Sequence, residues 1–111
     1  MKILSKFVIG GIACLTMASP SPASIVQVQG KIVQTQGHMT PACRMVLLKR
    51  SSDGAGQWFR IPDTGSDNSI MSVTLTAVAT SLNVIVTYDT AATTGCGTEP
   101  AIQYISILST N

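Results

Sequence analysis

Few side chains in this chain have the types and spacing that chemistry requires. The single histidine, His38, stands shortly before Cys43, and an imidazole base beside a thiol is the arrangement of a cysteine nucleophile. That reading needs a free thiol, whereas Cys96 is available to oxidise Cys43 and His38 lies in a loop bounded by Gly37 and Pro41. A lone histidine cannot build a multi-imidazole centre, and no cluster of carboxylates or thiolates replaces it, so neither a metal site nor a cofactor is expected. Asp53, Asp63, Asp67, Asp89 and Glu99 are scattered singly, with no glycine-rich phosphate loop and no Gly-x-Ser-x-Gly elbow. The expectation is a protein that is not an enzyme.

Binding chemistry is better supplied. In Gln57-Trp58-Phe59-Arg60-Ile61, strand alternation that turns Phe59 and Ile61 inward turns Trp58 and Arg60 outward. An exposed indole beside a guanidinium suits stacking on a sugar ring or anchoring a protein partner. Trp58 and Arg60 are therefore the candidate binding residues. The competing reading packs the tryptophan in the core, or both side chains on a helix. Arg44, Lys49 and Arg50 read as a solvated strand face rather than a functional patch.

What positions these residues depends on where the folded chain begins. Lys2 and Lys6 precede an apolar run from Phe7 to Met17, followed by Ala18-Ser19-Pro20-Ser21-Pro22-Ala23. That is the order of a secretory signal peptide, with cleavage expected after Ala23. The apolar run is about 11 residues, against the roughly 20 that span a membrane, so no membrane span is expected. A lipoprotein anchored through Cys14 is disfavoured, because glycine stands where a large aliphatic residue is needed. The protein is expected to be secreted or periplasmic, with residues 24–111 forming one domain. Cleavage removes Cys14 and leaves Cys43 and Cys96 in an oxidising compartment, where they are expected to form a disulfide. It also removes Lys2 and Lys6, leaving five basic residues (Lys31, Arg44, Lys49, Arg50, Arg60) against five acidic ones. A domain of zero formal charge has no general field to draw nucleic acid or an anionic membrane.

Within that domain, Ile25–Gln36 alternates apolar and polar residues as a strand with one wet face. Arg44–Arg50 is apolar on both faces, as a central strand would be. Ser51-Ser52-Asp53-Gly54-Ala55-Gly56 reads as a hairpin turn, and Gln57–Ile61 should return antiparallel until Pro62 ends the pairing. Residues 70–81 are ambiguous. Alternation and β-branched content favour a strand, whereas Met71, Leu75, Val78 and Leu82 form a helical stripe with Ser66 or Asp67 as N-cap. Propensity alone leans to strand; the helix is preferred on length and on a resemblance given below. Leu82–Tyr88 and Ala101–Leu108 supply two more strands, with Tyr88 and Tyr104 expected in the core. The order β-β-β-α-β-β is that of a small five-stranded OB-like barrel. If 70–81 were a strand, an all-β sandwich would replace it.

Trp58-Phe59-Arg60-Ile61-Pro62, Ser66-Asp67-Asn68-Ser69-Ile70 and Gly95-Cys96-Gly97 together resemble a group of small, uncharacterised secreted bacterial proteins, a likeness that supplies no activity. More remotely, Ile70 to Val86 looks like the helix, turn and strand of the binding subunits of bacterial AB5 toxins. That resemblance implies an OB-fold with a disulfide, assembly as a homo-oligomeric ring and a cell-surface glycan as partner, but no glycan-contacting residue carries over by position. The function expected is a secreted binding module, with glycan or protein as ligand. The alternative is a periplasmic or envelope structural protein whose Thr- and Ser-rich surface is read by a partner protein.

Overall fold

The computed structural model describes residues 24–65 and 69–109. The expected leader, residues 1–23, and the Ser66 or Asp67 helix cap lie outside the described residues. Among the described residues five strands form, β1 (Ile25–Gln36), β2 (Met45–Arg50), β3 (Gly56–Arg60), β4 (Asn83–Thr93) and β5 (Pro100–Ile107), with one α-helix, α1 (Ser69–Thr80), between β3 and β4. The order matches the expectation, and the helix removes the sandwich alternative. No helix among the described residues is long and apolar enough to cross a membrane.

The strands close into a barrel in the order β1-β2-β3-β5-β4. Closure depends on β1 serving two neighbours: residues 25–31 pair antiparallel with β4, and residues 30–36 with β2. Gly30 is the hinge of this double duty, paired with both Arg50 and Val84. A Cβ there would run into the Lys49 carbonyl, so only glycine admits the close approach of β2. A register shift between Ile32 and Gln34 adds the twist that carries β1 around the barrel. The β2–β3 hairpin turns through Gly54 at φ +74°, with the Gly54 N–H donating to the Arg50 carbonyl. The barrel is completed by a parallel bridge between Arg60 and Ala101. This strand order, with the helix after the third strand, defines an OB-like barrel.

Alternate residues of each strand fill the interior. Val46, Leu48, Phe59, Ile61, Val84, Val86 and Ile102 are fully buried, and the Phe59 ring meets Tyr88 edge-on at 4.9 Å between centroids. Tyr88 is anchored at the rim by Gln57, whose Nε2 donates to its hydroxyl at 3.0 Å. Tyr104, expected in the core, is instead 63% exposed on β5. The helix also presents a different face from the one the aliphatic stripe suggests. Thr74 and Ala77 are its buried residues, Ile70, Met71, Val73 and Val78 are packed against the core, and Leu75 is 49% exposed. The small residues face inward because α1 lies close against β1 and β5, leaving little depth for a leucine.

Cys43 and Cys96 form the expected disulfide across 53 residues. By the chain-entropy estimate a loop of that length contributes about 4 kcal/mol, a large share of the stability of a domain this small. Cys43 ends a single 3-10 turn, Pro41–Cys43, and Thr94 ties the other loop to that turn by donating its hydroxyl to the Ala42 carbonyl at 2.6 Å.

Candidate functional site

The residues that alternate with the core line the outer face of β1, β2 and β3, and the strand register places them in rows. Lys31 is flanked by Asn83 on β4 and Lys49 on β2, and Lys49 in turn by Gly56 on β3. The next row is Gln34, Leu47 and Trp58. On the other side of the lysines, Gln29 faces Ile85, and Gln27 donates its side-chain amide to the Thr87 hydroxyl at 3.3 Å. The face thus runs from amides, through two ammonium groups, to an indole.

Trp58 is partly buried, stands opposite Leu47 and lies outside the hydrophobic core. Phe59 and Ile61 are buried beside it. Gly56, two residues before it, has no side chain to cover the space, and a Cβ there would crowd the Leu47 side chain at 3.1 Å. Arg60 is held differently. Its Nε donates to Glu99 Oε1 at 3.0 Å and its Nη1 to the Cys43 carbonyl at 2.7 Å, leaving the side chain 14% exposed. The guanidinium therefore braces the two loops that the disulfide joins. Its partner Glu99 has its carboxyl held below the ordinary carboxylate range by its own backbone N–H and then by Arg60.

Two open hollows indent the outer face. One, of about 420 Å³, is lined by Gln27, Val28, Gln29, Ser51 and Ser52. The other, of about 360 Å³, is lined by Lys31, Val33, Lys49, Arg50, Ser51 and Asn83. They share Ser51. Arg50 is committed to a carboxylate, giving Nε and Nη2 to the two oxygens of Asp53 at 3.1 and 2.8 Å. That contact and the Ala55 N–H lower the Asp53 carboxyl, and Arg50 is raised in turn. Val33, at the β1 irregularity, is half exposed.

The other sequence candidates fall elsewhere. His38 is exposed and its Nδ1 accepts from the Thr40 N–H at 2.9 Å, while Cys43 is bonded to Cys96, so the pair offers no thiol nucleophile. Among the described residues, no three His, Cys, Asp or Glu side chains converge. The run Arg44, Lys49, Arg50 does not act as a unit, since Arg44 donates to the Pro41 and Pro62 carbonyls and Arg50 to Asp53. Reading along the chain missed the neighbourhood of Lys31 and Lys49, residues of different strands joined only by register; the polar side of the β1 alternation was its one sequence signal.

Fold and site together define a small disulfide-bonded OB-like barrel with a polar and aromatic outer face. No protein-family model matches the chain, and neither does any curated protein. Among solved structures, it is similar to the crystal structure of human heat-labile enterotoxin in complex with a blood group A antigen analogue, at 18% identity and a TM-score of 0.46, covering 81% of this chain and 89% of that one. The OB-like assignment rests on the strand order itself.

Proposed function

We propose that the protein is an exported, non-enzymatic binding module that recognises a cell-surface glycan through the outer face of β1–β3. In this reading residues 1–23 are removed as a leader and residues 24–111 act as a single domain. The observation that carries it is Trp58: an indole outside the core, beside the bare backbone of Gly56 and level with Leu47. An aromatic surface next to a glycine that carries no side chain of its own, with Leu47 alongside, suits the apolar face of a sugar ring. Arg60, braced by Glu99 and Cys43, forms the rigid end of the site. The pairing of Cys43 with Cys96 supports both an oxidising compartment and the absence of cysteine catalysis.

A shallow site of this kind gains useful strength by repetition, so assembly as a homo-oligomer belongs to the proposal. A glycan array probed with wild-type protein and Trp58→Ala tests it, with glycan binding expected for the first and lost in the second. Sedimentation of the exported protein at micromolar concentration reads the assembly. An array on which the wild-type protein binds nothing would overturn the glycan reading and leave the envelope protein-interaction alternative, which the partly buried Trp58–Leu47 row also suits.

A further inference from the structure

We infer that Lys31 and Lys49 form an anion subsite beside Trp58, so that the ligand is an acidic saccharide whose carboxylate or sulfate rests between the two ammonium groups. The inference deepens the glycan reading above and rests on it. Lys31 and Lys49 are direct cross-strand partners on the outer face and both are exposed. Direct partners in an antiparallel ladder have Cα atoms only about 4.5–5.5 Å apart, and like charges placed so are mutually destabilising. The arginines each have protein acceptors: Arg50 has Asp53, Arg60 has Glu99, and Arg44 has the Pro41 and Pro62 carbonyls. Among the described residues neither lysine makes an ion pair. An oxyanion between them relieves the repulsion and collects two charge-assisted hydrogen bonds.

The surroundings fit a sugar better than a free ion. The lysines open onto the hollow that also carries Ser51, with its hydroxyl, and half-exposed Val33. That hollow adjoins the one lined by the Gln27 and Gln29 amides, donors and acceptors of the kind that pair with sugar hydroxyls. In the other direction Trp58 lies diagonally across from Lys49, at roughly 7–8 Å between Cα atoms. This is within the span of one monosaccharide and its substituent. Gly56, opposite Lys49, adds no side chain between indole and ammonium, and the Leu47 side chain lies against it as an apolar floor.

The experiment titrates the exported protein with lactose, 3′-sulfolactose and 3′-sialyllactose, following Trp58 fluorescence and heat of binding. The sulfated or sialylated sugar should bind about tenfold or more tightly than lactose, as expected of a charged hydrogen-bonding contact. Lys31→Gln and Lys49→Gln should each erase most of that advantage while leaving the thermal midpoint unchanged or higher. Equal binding of all three sugars, with Trp58→Ala abolishing it, would overturn the anion subsite and leave the glycan reading intact. Binding by none of them at millimolar concentration would overturn both. Inorganic sulfate binding as tightly as the sulfated sugar would overturn the saccharide part. Lysine variants that bind acidic sugars as well as wild type would remove these two residues from the site.

Discussion

Arg60 and Glu99 stand 39 residues apart in the chain and 3.0 Å apart in space. The same guanidinium reaches the Cys43 carbonyl at 2.7 Å, so one side chain ties the end of β3 to both loops of the disulfide. Gly97 fits beside this contact without a side chain, where a Cβ would meet Glu99 Oε1 at 2.8 Å. Replacing Arg60 by leucine leaves the carbonyl and the carboxylate without their donor. Urea denaturation should show a loss of about 2–3 kcal/mol, in the range for hydrogen bonds to charged groups.

Acid should loosen this contact and the Arg50–Asp53 pair of the β2–β3 hairpin. Both Glu99 and Asp53 are held below their ordinary values, near 4.5 and 3.8, in the folded state. A depressed carboxyl binds more protons unfolded than folded, so its contribution is complete above the ordinary value and is lost as pH falls through the lower folded one. The thermal midpoint should therefore be flat from neutrality to about pH 5 and decline below it. Glu99→Gln should make that decline shallower, as followed by circular dichroism. A decline of unchanged steepness would show that Glu99 does not contribute.

Trp58 is partly buried but outside the core, which fixes its expected fluorescence. Its emission should be that of a partly hydrated indole and should be quenched by iodide, because the residue lies outside the core. Trp58→Ala should cost about 1–2 kcal/mol rather than the 3–5 expected of a buried aromatic. A blue-shifted, unquenched emission together with a large stability loss would place it in the interior and remove it from the binding face.

Thr74 is fully buried on the inner side of α1, and its hydroxyl has no hydrogen-bond partner among the described residues. Thr76 and Thr80, on the exposed side, each donate to the carbonyl four residues back. Burial of an unpaired hydroxyl is unfavourable, and valine has the same shape without it. Thr74→Val should raise stability by about 1 kcal/mol, read as a higher urea midpoint at unchanged slope. A lower midpoint would mean that the hydroxyl is satisfied.

The sequence alone settled the features that depend on local alternation and on turn chemistry. The β1 alternation, the hairpin at Asp53-Gly54 and the inward Phe59 and Ile61 were legible from neighbouring residue types, and the pairing of Cys43 with Cys96 from the cysteine count of the expected exported domain. Residues 70–81 read locally as strand as well as helix, and packing on the barrel decides for the helix. Tertiary structure decided which surfaces meet. The inner face of α1 is set by how closely the helix lies on β1 and β5, so small Thr74 and Ala77 point in while Leu75 stays exposed, against the order hydrophobicity predicts. Arg60 alternates outward as its strand requires, yet its guanidinium bends into partners supplied by a loop 39 residues away. The row from Lys31 through Lys49 and Gly56, with Trp58 beside it, exists only because Gly30 lets β1 pair with two strands at once. Register between distant strands is fixed by packing the whole barrel, and no window of neighbouring residues contains it.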